Sequence, residues 1–171
     1  TGNNNNNSLI NAVGGLRIQG ILKDKFSYTV GFQGGYRKYP GYINSNIDSN
    51  QNYQPGLGKG TLTDNNGYTS SQVTANITYN GGKHFLAAAG YGKNFIGDGY
   101  RSMILSDNPS NNPYIRMQAR VWKLTYNVLY NKFTTPRFLQ DGEMQKKYSV
   151  MHYLGINFSE KFQMALYDNI T

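Results

Sequence analysis

The sequence predicts an all-β chain. The class is an antiparallel transmembrane outer-membrane β-barrel, with about eight strands present as part of a larger barrel. Three observations predict it. Segments of about 9–12 residues alternate large apolar with polar side chains, which is the period of a strand and a length that suits a tilted membrane crossing. Short and long connections alternate along the chain, the rhythm of tight periplasmic turns and longer extracellular loops. The 171 residues include 15 Tyr, 8 Phe and 20 Gly but only 15% charged residues, a mix that fits strands with interfacial aromatics joined by turns.

Residues 1–8, with the run TGNNNNN, read as a disordered lead-in, and residues 9–171 as the barrel segment. Ile10, Ala12, Gly14, Leu16, Ile18, Gly20 and Leu22 make one strand face, with Asn11, Arg17 and Gln19 on the other. A turn at Lys23-Asp24-Lys25 leads to Phe26, Tyr28, Val30, Phe32 and Tyr36, alternating with Ser27, Thr29, Gln33 and Arg37. Residues 38–70 read as one long polar loop, a length that points to a functional connection. Val73, Ala75, Ile77 and Tyr79 form the next strand, and Gly81-Gly82-Lys83 turns into Phe85 to Phe95. After a Gly/Pro/Asn-rich loop over Gly97 to Pro113, Ile115, Met117, Ala119 and Val121 share a face. The phase then slips to Trp122, Leu124, Tyr126, Val128 and Tyr130, so the chain turns between Arg120 and Lys123. Residues 134–146 read as a further polar loop. Tyr148, Val150, His152, Leu154, Ile156 and Phe158 then pair, through a turn at Ser159-Glu160-Lys161, with Phe162, Met164 and Leu166. A soluble sandwich or barrel is the competing fold, and it leaves the loop rhythm and the many tyrosines unexplained.

The absence of cysteine excludes disulfides and thiolate metal or redox chemistry. A net charge of +8 favours acidic partners. No apolar run reaches the ~20 residues of a membrane helix, which leaves strands as the way to cross. No signal peptide is visible, and the abrupt start and the end at Thr171 are read as those of a mature or partial chain.

Catalysis is not expected. His84 and His152 stand far apart in strand patterns without a spaced acid, and Asp98, Asp107, Asp141 and Glu143 fall in loops where turn formation and solvation are the default. No cofactor and no metal is expected; a calcium site on Asp98 and Asp107 matches no established ligand spacing. Gly97-Asp98-Gly99 and Gly56–Gly60 lack a phosphate-loop motif and read as turns. Tyr100, Arg101, Asp107 and Asn108 offer a stacking ring and the donors and acceptors that a glycan needs; a loop held by its own side chains is the competing account. Arg17, Arg37, Arg116, Arg120 and Lys123 fall on polar strand faces, the lumen side of a barrel. There they either attract acidic polymer or brace the wall. Phe26, Tyr28, Phe32, Trp122, Tyr126 and Tyr130 fall on apolar faces and read as a membrane-facing aromatic belt. The basic residues are scattered and not clustered, so no nucleic-acid partner is expected.

Gly97-Asp98-Gly99-Tyr100-Arg101-Ser102, Leu105-Ser106-Asp107-Asn108, Pro113-Tyr114, Trp122-Lys123-Leu124, Asn127, Leu129-Tyr130, Lys147-Tyr148 and Met151-His152-Tyr153-Leu154 form a signature. It resembles the Wzi-like capsule-assembly outer-membrane proteins of Bacteroidetes, with their RemB-like gliding-motility members, over residue 90 to the end. The resemblance implies an outer-membrane barrel longer than this chain, without enzymatic activity. Its implied role is attachment or assembly of surface polysaccharide (capsule), or gliding-related surface assembly. The alternative is a structural accessory subunit of a larger complex such as the type IX secretion and gliding machinery. Implied partners are outer-membrane lipid and lipopolysaccharide, acidic surface polysaccharide, and other outer-membrane, secretion or gliding proteins.

Overall fold

The computed structural model describes residues 9–63, 67–96, 105, 109–138 and 144–171. The elements are β1 (Ile10–Leu22), β2 (Phe26–Lys38), α1 (Gly41–Ser49), β3 (Tyr53–Gln54), β4 (Gly58–Lys59), β5 (Thr61–Thr63), β6 (Gly67–Asn80), β7 (Phe85–Gly92), β8 (Asn112–Val121), β9 (Leu124–Phe138), β10 (Met144–Ser159) and β11 (Phe162–Ile170). Eight long strands pair in the order β1-β2-β6-β7-β8-β9-β10-β11, and β5 adds to β6. Every pairing is antiparallel. The sheet is open: β1 and β11 are its two edges.

Turn chemistry sets the register. Lys23 and Asp24 adopt left-handed φ values of 49° and 54°, the backbone hand that suits the twist of a hairpin. Asn80 accepts a hydrogen bond from the Gly82 amide at 3.1 Å, and Gly82 itself sits at φ 92°. Trp122 and Lys123 are the whole β8–β9 turn, between the paired Val121 and Leu124. The Ser159 hydroxyl accepts from the amides of Lys161 and Phe162 to close the last hairpin.

Directly opposed residues of antiparallel strands share a face. One register row therefore runs Leu22, Phe26, Tyr79, Ala87, Met117, Val128, His152, Asp168 across the sheet. This outer face carries large apolar side chains that stay open to the surroundings: Leu16, Val30, Phe32 (55% exposed), Val73, Ile77 (51%), Ile115, Leu124 and Leu166. The other, inner face carries Arg17, Thr29, Gln72, Thr74, Asn76, Arg116 and Asn127. It also holds most of the buried residues, including Tyr68, Leu129 and Met151.

The row is staggered. Leu22 and Phe26 flank the first turn, whereas His152 lies seven residues before the end of β10 at Ser159. Seven residues are ~23 Å of strand, accumulated over five inter-strand steps that together span ~24 Å. Taken out to Asp168, the stagger is ~20 Å over ~34 Å. The strands thus tilt by roughly 30–45° from the line that joins the turns.

Three sequence-based expectations are corrected. The stretch 38–70 contains α1 and a small β3–β4 hairpin, and β6 begins at Gly67. In α1, Ile43 and Ile47 are one helical turn apart and Ile47 is buried, while Gln51 and Asn52 end the helix in left-handed conformations. The expected loop 134–146 is largely strand, because β9 continues to Phe138 and β10 starts at Met144. The strand expected to reach Phe95 stops at Gly92.

Candidate functional site

The inner faces of five strands converge on one groove of about 660 Å³. Arg17 comes from β1, Thr29 and Gln33 from β2, Gln72, Thr74 and Asn76 from β6, and Tyr114 from β8; Lys93 follows β7. Glycine keeps it shallow-walled. A Cβ at Gly31 would stand 2.7 Å from Thr74 Oγ1, and one at Gly90 would stand 2.4 Å from the Ala75 carbonyl and 3.1 Å from Tyr114 Oη. Asn76 donates to Tyr114 Oη at 2.9 Å, and Thr78 donates to Asn76 Oδ1 at 3.1 Å.

Two segments lie against the rest of the inner face. Residues 39–60 are held there by the Tyr68 hydroxyl, which donates to the Asp48 carboxylate. Gln72 also donates to the carbonyl of Gly56 at 3.0 Å, and Tyr39 donates to Gln54 Oε1 at 2.9 Å. Burial raises the Tyr39 phenol above its ordinary pKa, with the Arg37 charge pulling partly the other way. The segment leading into β8 is tied down by Asn94 and Asn112, which donate to Asn131 Oδ1 at 3.5 and 3.1 Å, and by Ser110, which meets the Tyr53 hydroxyl at 3.0 Å.

The charge on this face has one sign. Arg17, Arg37, Arg116 and Arg120 all fall on the inner face. Among the described residues it carries no carboxylate: Asp24 and Glu160 are in turns, Asp48 is on α1 and Asp168 is on the outer face. Arg37 donates to Ser70 Oγ at 3.0 Å; Arg116 reaches Asn127 Oδ1 only at 3.5 Å, and its Nε finds no acceptor. Chemically this is a donor-rich, cationic surface with hydroxyls and amides, which suits oxyanions and sugar hydroxyls and offers no acid–base pair.

The sequence-predicted residues fall in three places. Arg17 lies in the groove, while Arg37, Arg116 and Arg120 lie on the same face outside it. Lys123 requires a correction: it occupies the β8–β9 turn, not a polar strand face. Its ammonium donates to the Phe158 carbonyl at 3.0 Å and stands 5.3 Å from the Trp122 ring centre. Phe26, Tyr28, Phe32, Tyr126 and Tyr130 lie on the outer face, and Trp122 sits at the turn, 82% exposed. Tyr100, Arg101, Asp107 and Asn108, with Asp98, Asp141 and Glu143, lie outside the described residues. His84 Nδ1 meets the Arg120 carbonyl at 2.9 Å beside a turn, and His152 Nδ1 meets the Tyr126 hydroxyl at 2.7 Å. Among the described residues no group of three His, Cys, Asp or Glu could hold a metal, and no helix is long and apolar enough to cross a membrane. Sequence reading missed Thr29, Thr74, Asn76 and Tyr114 as groove residues; their polar alternation was visible, but not the register that gathers them.

Fold and site define an antiparallel all-β protein with an apolar outer face and a cationic inner groove. No protein-family model, curated protein or solved structure matches the chain.

Proposed function

We propose that this chain is a non-enzymatic segment of an outer-membrane β-barrel whose inner face holds an acidic surface polysaccharide, in capsule attachment or gliding-related surface assembly. The single observation that carries it is the two-faced sheet: exposed apolar side chains outside and, among the described residues, cations without carboxylates inside. Water penalises a broad exposed apolar face, whereas acyl chains do not.

Three further features support the reading. The tilt of roughly 30–45° is the tilt of barrel strands in membranes. On β2 the outer series from Phe26 to Tyr36 covers ten residue steps, about 33 Å of strand and ~25 Å of height at that tilt, the thickness of an outer-membrane apolar band. On β2 aromatic rings stand at both ends of it, Phe26 (beside Tyr79 and Phe85) toward the turns and Tyr36 ten residues up, with Phe32, Tyr91 and Tyr130 midway. The resemblance to Wzi-like and RemB-like proteins points the same way and names the polymer's class. Inside such a barrel, Arg17 pairs with carboxylate or other acid groups while Gln33, Gln72 and Asn76 exchange hydrogen bonds with sugar hydroxyls.

The test is retention of acidic against neutral polysaccharide by the purified full-length protein in detergent, with retention of the acidic polymer weakening as salt rises. A monomer fully soluble in water without detergent sinks the membrane assignment. The alternative reading is a structural subunit docked in a larger outer-membrane complex. That reading expects no polysaccharide retention.

A further inference from the structure

The cations of the apolar outer face stand toward one end of it. Among the described residues of the eight long strands, Lys38, Lys132, Lys146 and Asp168 are the charged side chains of that face. Lys132 lies 8 residues above Leu124, Lys38 12 above Phe26, and Lys146 13 before Ser159. At the sheet's tilt those are about 20, 30 and 33 Å from the turns, around the upper limit of a ~25 Å apolar band. Asp168 lies lower, at about 15 Å, opposite His152.

Two of the three lysines stand together. Lys132 on β9 is directly opposite Tyr148 on β10, and its ammonium is 5.6 Å from the ring centre. Lys146, two residues along β10 from Tyr148, is the diagonal neighbour of Lys132 at ~7–8 Å. Tyr148 is 65% exposed and Lys146 is exposed, while Lys132 is half-buried. Two residues lower, Ile115, Tyr130, Val150 and Ile170 form a continuous apolar strip across β8 to β11.

We infer that Lys132, Lys146 and Tyr148 bind the phosphorylated sugar headgroup of an outer-leaflet glycolipid, whose acyl chains lie on the strip below. The inference rests on the lipid-facing reading of the outer face and adds a headgroup site to it. These lysines stand at the strand ends that carry the long connections β2–β6, β7–β8 and β9–β10, the outer side of an outer-membrane barrel. A lysine stem lies along apolar surface while its ammonium reaches up to the headgroup level, which suits Lys132 at about 20 Å. Two ammonium groups this close donate to one phosphate. The exposed Tyr148 ring beside them gives a sugar an apolar face to stack on. A phospholipid without sugar engages the cations but not the ring, and free phosphate engages neither the ring nor the strip.

The experiment titrates bisphosphorylated lipid A, in non-ionic detergent micelles, into the purified full-length protein and follows the heat of binding. The expected result is saturable binding that weakens roughly tenfold for dephosphorylated lipid A. Lys132→Ala and Lys146→Ala each weaken the phosphorylated form roughly threefold. Lys38→Ala, four strand steps from Lys132, leaves it as in the wild type, and Tyr148→Leu weakens both forms. Heat-modified gel mobility shows that each variant still folds. Equal affinity for the two forms of lipid A, or for phosphatidylglycerol or inorganic phosphate, overturns the headgroup site. So does a loss in Lys38→Ala as large as in the other two lysine variants, which marks bulk charge. In vesicles of the same preparation, quenching of Trp122 emission by brominated lipid reports the membrane reading separately. With that quenching present, failure of the lipid A arms overturns the headgroup site alone; without it, the membrane reading and the site fall together.

Discussion

The hydroxyl of Tyr68, on the inner face of β6, donates to the carboxylate of Asp48 on α1. Tyr68 is only 1% exposed, so this bond ties the inserted segment to the wall at a point shielded from water. A hydrogen bond to a charged group contributes about 1.5–3 kcal/mol where it is well shielded, and less here because Asp48 itself is exposed. Tyr68→Phe keeps the ring against Tyr39, whose centre is 6.1 Å away, and removes only the donor. The expected outcome is faster amide exchange and proteolysis within residues 41–60, with the exchange of β7 to β10 unchanged. Equal loosening of the whole sheet would show that the contact holds the wall and not the insertion.

The two faces predict opposite responses to the same substitution. Val73, opposite Phe32 at mid-band, points outward and is half exposed, whereas its neighbour along β6, Thr74, points into the groove. Lys at an acyl-facing position near mid-bilayer costs about 2–4 kcal/mol, while a lumen position tolerates charge. Val73→Lys is therefore expected to reduce assembly into the membrane, read by heat-modified gel mobility, and Thr74→Lys to leave it near wild type. If the two variants assemble equally well, the outer face does not meet lipid.

Much of this architecture is legible in the chain because strand alternation is local. Leu16, Ile18, Phe26, Tyr28 and Ile77 could be assigned to one face without knowing their partners, since each strand's period declares it. The turn at Trp122 was legible from the slip of phase at Val121-Trp122. What escaped was either too short or too non-local. In α1 only Ile43 and Ile47 mark the helical period, set among Asn, Ser and Gly residues that favour turns. The groove escaped because Arg17, Thr74 and Tyr114 come together only through the pairings β1-β2-β6-β7-β8. The charges on the outer face escaped too: Asp168 was not in the apolar pattern, and only its pairing with His152 gives it a face.

If the groove binds acidic polymer, its one guanidinium and its depth matter separately. Arg17→Ala removes a charge-assisted contact, and the expected loss is roughly tenfold in affinity for acidic polysaccharide, with little change for a neutral one. Thr74→Leu fills the same space without touching charge, so binding of both polymers is expected to fall. Titration calorimetry of the detergent-solubilised protein checks both. An Arg17→Ala protein that binds acidic polymer as the wild type does would place the recognition elsewhere.

Trp122 is the only tryptophan of the chain and stands at the exposed tip of the β8–β9 hairpin, in a left-handed backbone conformation at φ 52°. A bulky residue there costs of order 1–2 kcal/mol relative to its ordinary conformations, so the hairpin keeps it against a local preference. Lys123 lies 5.3 Å from its ring centre, and Val121 and Leu124 flank it on the outer face. An amphipathic ring beside a cation at the turn end of an apolar band suits the lipid headgroup region, where tryptophan anchors a strand end. The difference spectrum between the wild type and Trp122→Phe isolates its fluorescence. The expected emission shifts to shorter wavelength on transfer from detergent to vesicles and is quenched by lipids brominated near the headgroup more than by those brominated at the chain end. Quenching by aqueous iodide alone, unchanged by either lipid, would put this turn in water.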